Sequence, residues 1–558
     1  MVFIGRSLLL LAVLYSLVFA IGDAALIHGQ APYWSGIVFV AVMIGAQYLI
    51  SPWIIRLVYS IDWDEDEIPA VHRAFVERIC REQNMPIPKL GIIESSTPNA
   101  FTFGRLRTDA RIVITRGILE VCTEEEVQAV LGHELGHIAN YDFAVMALAS
   151  AAPLLLYQIY IWTDRVNQLR LVSYGAYVSY WIGQFLVLLL NRTREYGADL
   201  FSARVTHAPN TLSSALIRIA YGMVRVESEQ KRLLQQGDKE DKKYARQNLR
   251  FGHTMAMMGI QSAHGSAALA LGINTPEAAS RVMRWDLSNP WARFYELNST
   301  HPLTALRLRA LNREAEKQGQ SVSYPLPQDV RTRWNGFPVQ FLIWLVPMAL
   351  GFFLFSDVWI GRELDRLGVN LPPTLLPLIL IALGITWAGR IAYRYRGKFQ
   401  AAEVQSLLED LDVSQMNPRA VEVRGEVIGN GQPGVFWSPD FVLRDESGMI
   451  YLYYRSSLPF GRLFFAIRNA DRYIGEQVTV KGWYRRGLAP YIEISEIEAA
   501  VVKARSGNEP LSLFKTTTGE APDAVERMHS RSWSRWIQLA GAALCSAIGI
   551  LWLLGSLA

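Results

Sequence analysis

His133, Glu134, Leu135, Gly136 and His137 read HELGH. On a helix, residues four apart share a face, so both imidazoles reach one point, and Glu134 faces the open coordination position of a Zn²⁺ held there. Such a set suits hydrolysis by an activated water, with the carboxylate as general base. A catalytic zinc takes three protein ligands and a water, so two histidines leave one ligand to find. Glu195 is the best candidate. It stands in TREYGADLFSA, Thr193 to Ala203, with Asp199 four residues on and on the same helical face. One carboxylate could bind the metal while the other accepts the N–H of a ligand histidine and so fixes its tautomer. Alone, an E-x-x-x-D pair is more often a solvated helix face, and an HExxH histidine can merely pack or titrate. Their joint presence favours the metal.

The elements that must position these residues are also legible. Thr123 and Glu126 form a T-x-x-E capping box, and Glu124 and Glu125 add negative charge to the first turn, which predicts a helix from about Thr123 to Asn140. The chain has 558 residues, 51% of them hydrophobic, with mean hydropathy +0.14, too apolar for a purely soluble protein and too long for one domain. Seven stretches can span a bilayer: Ser7 to Leu26, Trp34 to Ile55, Phe143 to Trp162, Leu171 to Leu190, Phe337 to Ile360, Leu371 to Gly389 and Trp536 to Leu557. Asp23 interrupts the first, for which a cleaved signal peptide is the competing reading. Pro372, Pro373 and Pro377 crowd the start of the sixth and blur its boundary.

Basic residues near the span ends orient the chain. Arg6, Arg56, Arg192, Arg194, Arg331, Arg333, Arg390, Arg394, Arg396, Lys398, Arg531 and Arg535 fall on one side, and only Arg165, Arg170, Arg362 and Arg366 on the other. The first side is read as cytoplasmic. It holds the N-terminus, HELGH, Glu195 and the region from Arg390 to Arg535, with the C-terminus outside. Spans three and four then form a hairpin that returns Glu195 to the side of His133 and His137. Cys80, Cys122 and Cys545 lack metal-site spacing and are too few for a disulfide framework, so they read as buried thiols. A net charge of +4, from 55 basic and 51 acidic residues, points neither to nucleic acid nor to a strongly acidic partner. There is no internal repeat.

Between spans six and seven, β-rich runs occur at Ala420 to Ile428, Val435 to Leu443, Ile450 to Arg455, Gln477 to Arg485 and Tyr491 to Ile497. Turns fall at Asp445 to Gly448 and at Arg486 with Gly487, so five strands could close a small OB-like barrel. Tyr451, Tyr453, Tyr454, Trp483 and Tyr484 beside Arg455, Arg485 and Arg486 have the composition of a stacking platform for single strands. A packing role is preferred, since the segment is tethered to the membrane on both sides. No nucleic acid is expected.

Across about residues 60 to 315 the sequence resembles the HtpX-like and CaaX-prenyl-endopeptidase family of integral-membrane zinc metalloproteases. Four blocks in order carry the likeness: Pro98 to Leu119, with its N-A-F segment; HELGHIANYD; REYGAD; and STHPLTALRLRAL, Ser299 to Leu311. The resemblance implies one zinc per chain on His133, His137 and Glu195, with Glu134 as general base. It also implies supporting roles for Asp142 and Asp199 and places His301 and Arg307 near the site. His301 is expected by the developing oxyanion, or is a plain His-Pro turn; Arg307 supports the same charge or pairs with a neighbour. Leu303 and Thr193 depart from the family pattern without touching the ligands. Tyr221 to Ser299 matches weakly, and its charged run from Arg225 to Arg250 reads as a solvated helix or arm.

Substrate contact is expected at Asn99, Ala100 and Phe101 and along RIVIT, Arg111 to Thr115, where Ile112, Val113 and Ile114 lie in a β run whose free edge could pair with a peptide. The alternative is an ordinary core strand preceded by a turn. The expected fold is a mostly α multi-pass membrane protein with a zincin-like α+β metalloprotease domain and a small all-β, OB-like C-terminal cytoplasmic domain. The expected organisation is 1–58, two membrane helices; 59–335, the protease domain with its hairpin at about 143–190; 336–390, a second hairpin; 400–505, the barrel; 506–535, a linker; 536–558, a last span. The expected activity is zinc-dependent endoproteolysis of membrane proteins at the cytoplasmic face of a bacterial inner membrane, in quality control. Alternatives are processing of a defined, for example lipidated, substrate, or a non-catalytic scaffold acting through the barrel.

Overall fold

The computed structural model describes residues 34–164, 169–236, 275–366, 372–430, 441–454, 473, 475–487, 489–500, 525–529 and 533–557. The first predicted span, Ser7 to Leu26, lies outside them, as do Arg165, Arg455, Arg531 and the charged run beyond Gln236. The chain divides into two compact units, one of Met1–Leu287 with Arg293–Val330, the other of Ser288–Ala292 with Arg331–Ala558.

In the first unit, helices α1 (Trp34–Val58) and α2 (Ala70–Glu82) precede a three-stranded sheet of β1 (Lys89–Ile93), β2 (Ala100–Phe103) and β3 (Arg111–Thr115). The order is β1-β3-β2, with β1 parallel and β2 antiparallel to β3. The expected free edge on Arg111 to Thr115 is therefore corrected. It is the middle strand, paired on both sides, and Ile112, Val113 and Ile114 are buried in the core. The outer strands are β1, whose Ile92 bridges to Asp62, and β2. On β2, Phe101 and Phe103 pack with Tyr59, Ile93 and Val113, and strand alternation puts Thr102 on the opposite face.

The predicted zinc helix is α3, Glu124–Ala139, capped by Thr123. Thr123 Oγ1 accepts the Glu126 N–H at 3.3 Å, and Glu126 Oε2 accepts the Thr123 N–H at 2.9 Å. Buried Glu126 also accepts from Ser214 at 2.5 Å and pairs with Arg218 at 3.0 Å, tying α3 to α6 (Pro209–Gln236). At the other end Arg107 donates to the Ile138 and Ala139 carbonyls and stacks on Tyr141 at 3.7 Å, a cation closing a helix C-terminus.

Helices α4 (Asp142–Asp164) and α5 (Arg170–Val205) form the expected hairpin and pack along each other. The fourth span does not stop at Leu190. It runs on as one helix of 36 residues, about 54 Å at 1.5 Å per residue, against a hydrocarbon layer of about 30 Å. Its last turns, carrying Glu195 and Asp199, thus project from the apolar layer to pack on α3. The contact is close because it uses small residues. A Cβ on Gly136 would sit 2.8 Å from Ala198 Cα, and Ser202 Oγ donates to the Ala129 carbonyl at 2.6 Å. Helix α7 (Thr304–Lys317) packs on α5 and α6.

The second unit holds α8 (Phe337–Arg366), α9 (Leu375–Arg394) and α10 (Trp533–Leu557), with α9 against both others. The sixth span begins at Leu375, past Pro372 and Pro373. Five helices among the described residues are long and apolar enough to cross a membrane: Asp142–Asp164, Leu171–Val205, Phe337–Leu354, Leu375–Arg394 and Arg535–Ser556. The second predicted span forms α1. The chain is a multi-pass membrane protein.

After β4 (Gln400–Ala401) come β5 (Arg419–Asn430), β6 (Phe441–Arg444), β7 (Met449–Tyr453), β8 (Gln477–Arg486) and β9 (Pro490–Ala500). Pairing runs β5-β6-β7-β9-β8 and back to β5, which closes a five-stranded barrel. The Asp445 to Gly448 turn is present, with Asp445 Oδ1 accepting the Ser447 and Gly448 N–H groups at 2.8 Å. Of Val435 to Leu443, residues 435–440 lie outside the described residues, and β6 covers Phe441–Arg444. Part of the expected linker is a strand, β10 (Val525–His529), paired with β9. Tyr451, Tyr484, Arg485 and Arg486 are buried, in keeping with the preferred packing role and not with a stacking platform.

Candidate metal centre

Because α3 presents i and i+4 on one face, the His133 and His137 rings stand side by side, centroids 4.8 Å apart. The far end of α5 supplies Glu195 opposite them. His133 Nε2 lies 3.8 Å from Glu195 Oε2, and His137 Nε2 lies 3.7 Å from Glu195 Oε1. One ligand atom from each residue falls within 4.8 Å of the others, the only such His, Cys, Asp and Glu group among the described residues.

The rings' other nitrogens each lie within ion-pair distance of a second carboxylate. His133 Nδ1 is 2.9 Å from Asp199 Oδ1, and His137 Nδ1 is 2.6 Å from Asp142 Oδ2. With its proton on Nδ1, each ring would face a carboxylate there and keep Nε2 free to bind a cation. Both carboxylates are held in turn. Arg307 donates from Nε and Nη2 to Asp199 at 2.8 and 2.6 Å, and Arg194 Nε meets Asp142 Oδ2 at 3.1 Å. Arg307 also reaches Glu195 Oε2 at 3.6 Å, so it braces Glu195 and Asp199 together. His301 Nδ1 lies 3.2 Å from Glu195 Oε2. Its turn is pinned to α5 by Asn191, which donates to the Thr300 carbonyl at 2.8 Å, and by Arg192, which donates to the Ser299 carbonyl at 3.3 Å.

Whether the residues fit a zinc ion turns on His133 Nε2. It is buried, has no hydrogen-bond partner among the described residues, and points toward the Glu195 carboxylate. A buried ring nitrogen left without a partner costs free energy unless something else binds there. Two imidazoles and a carboxylate, each braced from behind, match the donors of an open zinc site. Burial opposes a charge on His137, but the hydrogen bond to Asp142 and the Glu195 and Glu134 carboxylates outweigh it and raise its pKa. A cation at Nε2 would displace that proton.

Glu134 is buried, 2% exposed, and its Oε2 accepts the Thr102 hydroxyl at 2.5 Å. Thr102 was not among the residues expected from sequence, although it follows Asn99, Ala100 and Phe101 directly. Asn99 serves the strand itself: its N–H donates to Thr115 Oγ1 at 2.9 Å and its Oδ1 accepts the Ala100 N–H at 2.9 Å. Ala100 and Phe101 lie on outer strand β2 with buried side chains, while Ile112, Val113 and Ile114 are core. Arg194 was read from sequence only as a topological charge. Its adjacency to Glu195 was the available signal. Cys80 and Cys122 are buried, which pushes their thiols up to about 11 and about 12 and keeps them inert.

Residues 67–315 match the model of Peptidase family M48. A protease HtpX homolog of Methanothermobacter thermautotrophicus is 40% identical over 219 residues, 38% of this chain and 82% of that protein. Another, of Moorella thermoacetica, is 35% identical over 236 residues, 39% and 77%. A third, of Aeropyrum pernix, is 30% identical over 295 residues, 50% and 85%. A crystal structure of Ste24p from S. mikatae overlaps with a TM-score of 0.34 at 17% identity, over 55% of this chain and 65% of that one. The three HtpX homologs are each covered for more than three quarters of their length, and the matched span takes in both ligand helices and the His301 turn, so this chain belongs to peptidase family M48, among the HtpX-type proteases.

Proposed function

We propose that this chain is a zinc-dependent endopeptidase of the cell membrane that cuts membrane or membrane-associated proteins at the cytoplasmic face, in quality control. The observation that carries the proposal is the convergence of His133 Nε2, His137 Nε2 and the Glu195 carboxylate beside Glu134. A zinc ion there would supply Lewis-acid polarisation of the scissile carbonyl and of the attacking water. Glu134 then takes the water's proton and delivers it to the leaving amine. His301, beside Glu195, is placed to steady charge developing on the carbonyl oxygen. Asp199, Asp142, Arg307 and Arg194 keep the ligands aimed.

A sheet with an outer strand beside an HExxH helix supports the zincin-like reading. The outer edge of β2, Ala100–Phe103, replaces Arg111 to Thr115 as the segment that pairs with an extended peptide; backbone pairing reads little sequence and suits broad specificity. The barrel is read as OB-like, because its strands close in the order first, second, third, fifth, fourth, with β7 and β9 parallel. Basic residues clustered at one set of span ends support the cytoplasmic orientation.

The test is proteolysis of a casein-like substrate by purified full-length protein before and after chelation. Activity is expected to vanish on chelation and return with about one equivalent of zinc. Fully zinc-loaded protein that cuts nothing would favour the scaffold reading.

A further inference from the structure

We propose that Thr102 is a positioning residue for Glu134, which makes an outer strand of the sheet part of the alignment of the general base as well as of the substrate. The inference rests on the endopeptidase reading. Thr102 lies on β2, whose Phe101 and Phe103 are stacked at 5.9 Å in the core. With its neighbours anchored on that face, the Thr102 side chain is directed to α3, where its hydroxyl donates to Glu134 Oε2 at 2.5 Å. Glu134 is almost fully buried, so its carboxylate cannot rely on solvent for orientation. The contact fixes Oε2 and leaves Oε1 as the oxygen not held by Thr102.

The hydroxyl suits a base that changes protonation. It donates to Oε2 in the carboxylate and still donates to Oε2 when Oε1 takes the water's proton, so the contact survives the proton's stay on Glu134. β2 also offers the outer edge on which an extended substrate would pair, so one strand sets both the scissile bond and the base. Pairing that firms β2 then firms the base.

The experiment compares Thr102→Val and Thr102→Ser with wild type, as zinc-loaded full-length protein on the casein-like substrate, with zinc content measured in parallel. Valine keeps the shape and loses the hydroxyl; serine keeps the hydroxyl. The expected result is a kcat about tenfold lower for the valine variant, with KM and zinc content unchanged, and recovery of most of kcat in the serine variant. Wild-type kcat in Thr102→Val would overturn the proposal. So would equal losses in both variants, or a fall in zinc content, since either assigns Thr102 to packing or metal retention. Zinc-loaded wild type without activity would instead sink the endopeptidase reading on which the proposal stands.

Discussion

Each unit of the molecule buries an arginine against a carboxylate, and the two pairs end differently. In the barrel unit, Arg485 is fully buried and donates to Glu493 at 2.8 Å, to the Gln415 carbonyl at 2.9 Å and to the Arg394 carbonyl at 2.7 Å, while Tyr395 donates to Glu493 at 2.5 Å. This network ties β8 and β9 to the end of α9. In the first unit, Arg307 holds Asp199, Asp199 holds His133 Nδ1, and the chain of contacts stops at His133 Nε2, which has no hydrogen-bond partner among the described residues. Buried charge by itself marks architecture in both. Chemistry is marked where several atoms able to bind a cation face one point.

The largest effect is expected at Glu195. Glu195→Ala should reduce bound zinc from about one per chain to near none and abolish proteolysis, because only two ligands remain. Undiminished metal by atomic absorption would remove Glu195 from the ligand set. Next come the two arginines. Arg307→Met and Arg485→Met each strand a buried carboxylate, at a cost of about 3–5 kcal/mol that thermal unfolding would report. Only Arg307→Met should also weaken zinc, by about 10- to 100-fold in competition with a chelating dye. Equal weakening in both would erase the distinction drawn here.

A smaller effect is expected from Gly136→Ala, whose new Cβ would meet Ala198 Cα at 2.8 Å. Pushing α5 from α3 should cost about 1–3 kcal/mol and loosen zinc. The parallel change in the barrel, Gly425→Ala, whose Cβ would meet the Arg444 carbonyl oxygen at 2.4 Å, should lower stability and leave zinc binding as it was.

Local signals were read well and long-range ones poorly. HELGH on its capped helix, and Glu195 with Asp199 four residues on, follow from helical periodicity, and the structure brings all of them together. Which strands lie at the sheet's edges depends on pairings between distant segments, so RIVIT reads as an edge although β1 and β2 take those places. Thr102 was invisible for the same reason, since its partner Glu134 is 32 residues away. In the barrel, alternation failed at Tyr484, Arg485 and Arg486, three buried residues in a row. Backbone carbonyls of Leu408, Gln415 and Arg394 close over that end of β8 and supply the arginines' acceptors. The helix Val404–Leu408 before that cover is too short for periodicity to announce.

On the proposed function, Glu134 performs the proton transfer while His133, His137 and Glu195 hold the metal. Zinc content and casein turnover of Glu134→Gln, measured on the same full-length preparation, test it most directly. The expected result is about one zinc per chain with turnover lost. Full turnover in that variant, or loss of its zinc, would contradict it.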